Sequence, residues 1–267
     1  MYSAKIVADS IAENGCRLTT FEVTMPRIIL AEWNTHRVFS RNTASSRAIP
    51  IKKIIDSVMR NPFIPERFPK NKAGMANDEW LTGWKESLAR RGWLAARTLA
   101  VFSAKVLMKL GVHKQIANRL LEPFMWVTSV TTATEWKNFF SLRCSPLAQP
   151  EIMKVALMMQ EEYRTSKPKL IKKGEWHLPY VTEQEKIFHK DEAPLLSAGR
   201  CGKVSYLTHG ISNMAHQDIS IARDKMVGNR HWSPVEHPAT PMDTNDFNGN
   251  FKGWKQQRKF YEGESGE

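Results

Sequence analysis

The dipeptide Asn14-Gly15 separates two β-forming segments, and it constrains the fold of this chain more than any other short feature. Asn-Gly is the strongest short-range signal for a two-residue hairpin turn, because both turn positions adopt positive φ angles. Apolar and polar side chains then alternate over residues 21–25, as in a strand with one buried face. The sequence therefore predicts an antiparallel pair of strands over about residues 4–11 and 16–25.

A dense polar and cationic cluster follows between Glu32 and Pro50, directly behind an apolar helical segment. It contains three arginines, a histidine and several short hydroxyl and amide side chains. Guanidinium groups suit phosphates and carboxylates, and short polar side chains let backbone N–H groups approach a ligand. We expect this segment to be a loop that starts from a rigid helix and binds an anionic, planar ligand.

Apolar periodicity, β-branched residues and prolines predict the coarse secondary structure of the remaining chain. Helices are expected over residues 51–60, 77–110, 113–121, 147–164 and 213–227. Strand-like segments are expected over 127–134 and 197–206, and a loop over 167–190.

The charge balance is 39 − 27 = +12, which favours polyanionic partners, although a basic surface without such a partner remains an alternative. The three cysteines form no C-x-x-C motif, and their odd number argues against a disulfide framework and fits a reducing cytoplasm. No histidine and cysteine spacing suits zinc, so no metal is expected. The N-terminus does not resemble a signal peptide, and Arg97, Lys105 and Lys109 interrupt the most apolar segment, so no membrane association is expected.

Four blocks carry most of the functional signal, and each combines arginine, histidine or serine with aromatic residues. They are T-H-R-V-F-S-R-N-T-A-S-S-R (35–47), E-W-K-N-F-F-S-L-R-C-S-P-L-A-Q-P-E-I (135–152), A-G-R-C-G-K-V-S-Y (198–206) and N-R-H-W-S-P-V-E-H (229–237). Together they resemble the signature blocks of the flavin-dependent thymidylate synthases. That family has R-H-R, seven further residues and S-x-R, where this chain has Thr35-His36-Arg37, then Ser45 and Arg47. The other blocks resemble its tryptophan helix, its A-R-V-S run and its H-x-T-P-F-E-H run.

The resemblance implies an α+β fold with an antiparallel sheet and long helices. In the family the A-R-V-S and H-x-T-P-F-E-H runs precede R-H-R, whereas here they follow it, so the block order is circularly permuted. Such a rearrangement is tolerated when the chain termini lie close together on the surface. We expect a single domain over residues 1–241 with a helical insertion at about 61–112, and a peripheral tail over 242–267.

The function implied by the resemblance is FAD-dependent one-carbon transfer to C5 of dUMP, which yields dTMP in a cytoplasmic homotetramer. NADPH and methylenetetrahydrofolate are the implied co-substrates. Arg143 is the implied catalytic residue, since its charge would favour ionisation of the uracil at N3 and make C5 more nucleophilic. The implied nucleotide-binding residues are Glu32, Ser45, Ser46, Arg47, Arg143 and, from another subunit, Arg119. The implied flavin-binding residues are Thr35, His36, Arg37, Asn138, His231 and Ser233.

Departures from the family pattern leave alternatives open. Thr35 replaces an arginine, and Thr132 and Thr134 replace another pair of flavin contacts. Each lost charge-assisted hydrogen bond is expected to weaken flavin binding by ~1–3 kcal/mol. Hydroxymethylation of dUMP or dCMP is therefore an alternative, since the Glu32 carboxylate can accept a hydrogen bond from a cytosine amino group. The net charge also suits a non-catalytic nucleic-acid-binding protein on the same fold.

Overall fold

The computed structural model describes residues 1–74 and 79–261. The strands are β1 (Ser3–Ala12), β2 (Arg17–Pro26), β3 (Ser40–Thr43), β4 (Trp126–Ala133), β5 (Lys169–Ile171), β6 (Ala239–Pro241), β7 (Phe247–Asn248), β8 (Phe251–Lys252) and β9 (Trp254–Gln256). The helices are α1 (Leu30–Asn34), α2 (Ile51–Arg60), α3 (Gly83–Lys109), α4 (Lys114–Ala117), α5 (Lys137–Arg143), α6 (Pro150–Thr165), α7 (Glu183–His189), α8 (Ala193–Gly202) and α9 (Ala215–Ser220). A π-helical turn, Ile221–Val227, extends α9.

The central sheet has the strand order β3-β4-β2-β1-β5. Its strands pair antiparallel, except that β1 and β5 are parallel. Gly15 has a φ of +82°, but Asn14 does not have a positive φ, so the connection between β1 and β2 is not the two-residue turn that the sequence predicted. The Gly15 backbone N–H donates to the Ala12 carbonyl oxygen at 2.9 Å, and the Ala12 N–H donates to the Cys16 carbonyl oxygen at 3.0 Å, so the loop is longer and has glycine at its positive-φ position. The predicted antiparallel pairing of β1 with β2 and the α+β fold class are confirmed, while the parallel edge departs from the expected antiparallel sheet.

An aromatic cluster joins the sheet to the segment that follows α1. The Phe39 ring lies 4.6 Å from Trp136, and the Trp33 ring lies 5.3 Å from Phe139 in an edge-to-face contact. All four side chains are buried, and large aromatic rings contribute much of the apolar area that stabilises a core. This packing fixes residues 33–39 against α5, and so it fixes the ends of α1 and α5 relative to each other.

The insertion predicted at 61–112 contains an irregular segment and the 27-residue helix α3. Residues 77 and 78, where this helix was expected to begin, lie outside the described residues. Val101 and Ala104 are buried, whereas Trp84, Leu99 and Phe102 are 72%, 66% and 64% exposed. In the described part of the chain, no helix is long and apolar enough to cross a membrane.

The predicted strand-like segment at 197–206 is wrong, because it forms most of α8 and the 3-10 turn after it. A Cβ atom at Gly199 would lie 2.2 Å from the carbonyl oxygen of Asp218, so glycine is needed for α8 to pack against α9. The predicted loop at 167–190 likewise contains β5 and α7. Long-range packing overrides local propensity in both segments.

The expectation of a peripheral tail over 242–267 is wrong for residues 242–261. Phe251 and Trp254 are fully buried and share an apolar cluster with Leu18 of β2. The Asn14 side chain donates hydrogen bonds to the carbonyl oxygens of Met242 and Gly253, at 2.9 and 3.1 Å. The last described strands therefore complete the core beside the first hairpin, and residues 262–267 lie outside the described residues.

Candidate functional site

Arg143 and His36 meet where α5 and α1 end. The Arg143 Nε donates a hydrogen bond to His36 Nε2 at 3.0 Å, and a terminal guanidinium nitrogen donates to Thr35 Oγ1 at 3.4 Å. Arg143 is half-buried, so part of its guanidinium group faces solvent. The first and second sequence blocks therefore meet at the residue that the sequence implied as catalytic.

His36 is held in the neutral state. Its side chain is buried against Phe39 and Phe139, and the Arg41 guanidinium donates to its carbonyl oxygen at 2.9 Å. Burial and then the positive charges of Arg143 and Arg41 lower the His36 pKa to about 4. Because Nε2 accepts a hydrogen bond, the proton of this neutral ring lies on Nδ1. His36 thus orients the Arg143 guanidinium without neutralising its positive charge.

A second group of predicted residues meets at Glu122. Its Oε1 accepts hydrogen bonds from Ser46 Oγ at 2.6 Å and from Arg119 at 2.8 Å, and Arg27 lies 3.0 Å away. Burial opposes ionisation of Glu122, but the Ser46 hydrogen bond and the charges of Arg27 and Arg119 outweigh it and lower the Glu122 pKa. Arg119, expected to come from another subunit, therefore lies beside Ser46 of its own chain.

Two of the remaining nucleotide-binding candidates, Ser45 and Arg47, lie on the same loop as Ser46, whereas Glu32 lies in α1. The Ser45 backbone N–H donates to the Ser205 carbonyl oxygen at 3.1 Å, which joins the first block to the third. Arg47 is exposed, and its guanidinium forms no hydrogen bond with any described residue. Glu32 is half-buried, and its Oε2 is enclosed without a hydrogen-bond partner among the described residues.

The fourth block packs against β3 and β4. Gln256 Nε2 links it to the first block, since it donates to Ser40 Oγ at 2.9 Å and to the Glu236 carbonyl oxygen at 3.3 Å. His237, fully buried, shares a 2.8 Å hydrogen bond with Thr132 of β4. The four blocks, separate in sequence, are thus brought to one edge of the sheet.

The flavin-binding candidates divide into two environments. Thr35 and His36 form hydrogen bonds with Arg143, as described above. The other four are exposed, and within residues 1–74 and 79–261 their side chains form no hydrogen bond; they are Arg37, Asn138, His231 and Ser233. Among the described residues, no hydrogen bond or ion pair joins the Arg143 group to the Glu122 group.

Sequence reasoning missed two residues that organise the site. No sequence motif identifies Glu122, because its role depends on Arg27, Ser46 and Arg119, which are far apart from one another along the chain. Arg41 lies within the arginine-rich cluster, but its spacing does not indicate that its guanidinium donates hydrogen bonds to the carbonyl oxygens of Trp33 and His36 at the end of α1. In the described part of the chain, no group of three His, Cys, Asp or Glu side chains could hold a metal ion.

Comparison with known proteins identifies the family. The profile of the thymidylate synthase complementing protein family, Thy1, matches residues 17–169, more than half of the chain. The chain therefore belongs to the Thy1 family, and the resemblance inferred from the motifs is confirmed. This membership supports, at a general level, methylation of a pyrimidine nucleotide at C5. The matched region includes the first two blocks, whereas the third and fourth lie beyond it.

Solved structures with a similar fold include two of the UMP/dUMP methylase PolB from Streptomyces cacaoi. The complex with 5-Br dUMP is 14% identical, and the complex with 5-Br UMP is 17% identical, each with a TM-score of 0.49. The alignments cover 61% of this chain and 90% and 88% of those chains. No curated protein sequence matches this chain.

Proposed function

We propose that this protein transfers a one-carbon unit to C5 of a pyrimidine deoxynucleotide, with dUMP as the substrate and dTMP as the product. The observation that carries the proposal is the hydrogen bond from Arg143 to a neutral histidine. A carboxylate partner would neutralise the guanidinium, whereas the His36 imidazole only orients it. The charge is therefore available to an anion that develops on a bound base.

Arg143 is the catalytic residue in this proposal, and His36 is a positioning residue. The Arg143 guanidinium favours loss of the uracil N3 proton, and the electron density that remains on the ring makes C5 more nucleophilic. Thr35, which accepts from the same guanidinium, limits its rotation. An arginine fixed before the substrate arrives loses little side-chain entropy during the reaction.

The nucleotide phosphate binds at the loop of Ser45, Ser46 and Arg47 in this proposal. Arg47 is exposed, and the Arg119 side chain is 50% exposed, so both guanidinium groups are accessible to an anion. Glu122 accepts from Arg119 and Ser46 in the free protein. A phosphate that binds there accepts from the exposed Arg47 and Arg119, whereas Ser46, only 2% exposed, keeps its hydrogen bond to Glu122.

The residues available to FAD fit a dinucleotide chemically. Arg37, Asn138, His231 and Ser233 are exposed, and none uses its side-chain polar atoms with another described residue. We assign these four to FAD, together with Thr35 and His36 at the base of the site. Bound FAD, after reduction by NADPH, would supply the reducing equivalents that complete the methyl group.

The proposal includes a permuted family fold, a homotetramer and a cytoplasmic location. The meeting of the four blocks at one sheet edge supports the permutation. Leu99, Phe102 and Val106 of α3 are exposed and lie on one face of the helix, which supports self-association, because monomers rarely leave large contiguous apolar surfaces exposed. The three free cysteines suit a reducing compartment. Light scattering during size-exclusion chromatography tests the tetramer.

The test of the reaction uses purified protein with FAD, NADPH, methylenetetrahydrofolate and dUMP, and mass analysis of the nucleotide. We expect dTMP from the wild type and a rate lower by ~10²–10³-fold for Arg143→Gln, as for loss of an electrostatic stabiliser. Arg164→Gln, the same change at an exposed position on α6, is the control. Equal rates for wild type and Arg143→Gln would refute the assigned role. A colourless protein without product, whose DNA binding weakens steeply with salt, would favour the nucleic-acid-binding alternative.

Hydroxymethyl transfer, with dCMP as a second acceptor, is favoured by one observation. The enclosed Glu32 Oε2 has no donor among the described residues, and an exocyclic amino group of cytosine would supply one. The same assay with dCMP in place of dUMP tests this alternative. A hydroxymethylated nucleotide from either substrate would replace the methyl-transfer proposal.

A further inference from the structure

Helix α3 has two apolar faces on opposite sides of its axis. The inner face packs on the core, where Val101 and Ala104 are buried and the Trp93 ring lies 5.3 Å from Phe124. The outer face is exposed, and we call its apolar residues the outer seam; they are Leu88, Gly92, Ala95, Leu99, Phe102 and Val106. Monomeric proteins seldom expose a continuous apolar surface of this length, so the outer seam is suited to a partner.

The outer seam has the spacing of a helix-pairing surface. From Leu88 to Val106, its successive members are four, three, four, three and four residues apart. This alternation is the heptad spacing of coiled coils, in which two helices pack with interlocking side chains along one narrow stripe. Because α3 has 27 residues, it extends for about 40 Å and can present the whole stripe to one partner helix.

Gly92 lies in the middle of the outer seam, although nothing within the chain calls for glycine there. Its φ is not positive, and a Cβ atom at this position would have no atom of the described residues within 4 Å. Glycine is less favourable than alanine in a helix interior, so the chain alone would be more stable with a side chain here. The space over Gly92 is therefore suited to a large side chain from another molecule.

A second copy of α3, running antiparallel, would supply side chains of matching size. Three pairs form in that arrangement, and each combines a smaller residue with a larger one. They are Gly92 with the partner's Phe102, Ala95 with the partner's Leu99, and Val106 with the partner's Leu88. Two-fold symmetry repeats each pair, and facing positions that alternate small and large residues fill space without voids. A parallel pair would leave a void between two Gly92 positions and a clash between two Phe102 rings.

The exposed area is sufficient for a specific interface. Leu88, Leu99, Phe102, Val106 and Leu110, which continues the same face, are 58%, 66%, 64%, 38% and 73% exposed. These fractions correspond to roughly 500–600 Å² of apolar surface on each copy, since a large side chain has an area of ~150–250 Å². Specific interfaces bury at least about 600 Å² on each partner, and Ala95 together with the stems of the neighbouring basic side chains adds the remainder.

Basic residues border the outer seam; they are Lys85, Arg91, Lys105 and Lys109. In the antiparallel pair, Arg91 lies near the partner's Lys105. Exposed like charges repel weakly, and salt screens the repulsion, so added salt is expected to strengthen the pair. A polyanion bound to the same cations would show the opposite dependence, because salt releases it.

We propose that α3 pairs with α3 of a second copy through the outer seam, antiparallel and about a two-fold axis. The pairing rests on the proposed self-association, to which it assigns a surface, a direction and a register. The inner face of α3 contacts Phe124 in the 3-10 turn that carries Arg119 and Glu122. The pair therefore forms on the far side of α3 from that turn and leaves the proposed phosphate site open.

Sedimentation equilibrium of the full chain measures the pairing, and Gly92→Leu is the variant that opposes it. Leucine occupies the space of the partner's Phe102 and favours the helix, so the variant is expected to fold and to associate at least ~10-fold more weakly. Glu161→Leu, which introduces leucine at an exposed position on α6, is the control and is expected to associate like the wild type. Thermal unfolding shows that each variant is folded.

A size exchange tests the register. Phe102→Ala alone leaves a void opposite Gly92 and is expected to weaken association about 10-fold. Combined with Gly92→Leu, it restores one large and one small residue in each pair, and association is expected to return to within about threefold of the wild type. Such a rescue requires that position 92 of one copy faces position 102 of the other.

Cross-linking tests the direction. Leu88→Cys and Val106→Cys proteins are purified separately, mixed and oxidised with copper phenanthroline, and the linked peptides are identified by mass spectrometry. The antiparallel pair is expected to give the disulfide between positions 88 and 106. Disulfides between two copies of position 88, or between two copies of position 106, would indicate a parallel pair and overturn the assignment.

Two further results would overturn the pairing: a monomeric wild type, or association that Gly92→Leu leaves unchanged. A tetramer whose mass Gly92→Leu does not alter would retain the proposed homotetramer and refute the α3 pair. A dimer that Gly92→Leu converts to a monomer would do the reverse. Weaker association of the wild type at higher salt would also contradict an apolar seam bordered by like charges.

Discussion

Replacement of His36 by phenylalanine separates the two effects of this histidine, on catalysis and on stability. Phenylalanine keeps an aromatic ring against Phe39 and Phe139, so the core contact is preserved. It removes the acceptor of the Arg143 Nε hydrogen bond, and a hydrogen bond to a charged group contributes about 1.5–3 kcal/mol. If that energy is lost from the transition state, kcat falls by about 10–100-fold.

The stability effect depends on pH in a defined direction. The His36 pKa is lowered from 6.5 to about 4 in the folded protein, so the unfolded chain binds a proton first as the pH falls. The stabilisation by neutral His36 is complete above pH 6.5 and is lost as the pH decreases toward 4. For these two pKa values the loss is about 2 kcal/mol at pH 5 and about 3 kcal/mol at pH 4.

Urea denaturation of wild type and His36→Phe at pH 7 and pH 5 measures this difference. Between these pH values, the wild type is expected to lose about 2 kcal/mol more unfolding free energy than the variant. The buried His177 and His237, whose pKa values burial lowers to about 3, affect both proteins alike. His231→Phe, the same change at an exposed position, is the control. An identical pH dependence in wild type and His36→Phe would refute the argument for a buried, neutral His36.

Three further substitutions test the packing around the sheet, each by urea denaturation. Arg200→Met removes the buried cation that pairs with both Glu185 and Asp218 and is expected to cost about 3–5 kcal/mol, because Glu185 loses its arginine and the buried Asp218 keeps only Lys203 as a cationic partner. Gly199→Ala is expected to cost at least ~1–3 kcal/mol, because its Cβ would clash with the Asp218 backbone. Trp254→Ala is expected to cost about 3–5 kcal/mol through the cavity it leaves in a fully buried cluster.

Matched controls distinguish these effects from general sensitivity to mutation. Arg164→Met and Trp84→Ala change exposed residues and are expected to stay within about 0.5 kcal/mol of wild type. Gly92→Ala, in a helix with open space around the new Cβ, is expected to stabilise by up to about 1 kcal/mol. If Gly199→Ala behaved like Gly92→Ala, α8 and α9 would not be in the close contact described above.

The parts of the fold that were predictable from sequence are those with local causes. The hairpin between β1 and β2 follows from the positive φ that Gly15 adopts in its connection, and α2 follows from a short amphipathic pattern. The helix α8 was not predictable in this way, because Gly199 and Gly202 face partners supplied by later segments. Its small residues are needed for close packing against other segments, and they do not themselves favour a helix.

The candidate site was predictable as a set of residues but not as a set of contacts. The motifs place Arg143 and His36 in one site, yet nothing in their spacing indicates that one orients the other. Arg119 and Glu122 share the 3-10 turn Asn118–Phe124, but Ser46 and Arg27 reach Glu122 only through the tertiary fold. Such electrostatic partners depend on tertiary structure, so they cannot be predicted from a single sequence.

The attachment of the last described strands to the first hairpin has a consequence for synthesis. Asn14 is translated early, but Gly253, whose carbonyl oxygen its side chain binds, is 239 residues away along the chain. Until the ribosome has released that segment, Leu18 of the hairpin lacks Phe251 and Trp254, the partners that cover it. Nascent chains that stop earlier therefore present an uncovered apolar edge, which chaperones and other incomplete chains can bind.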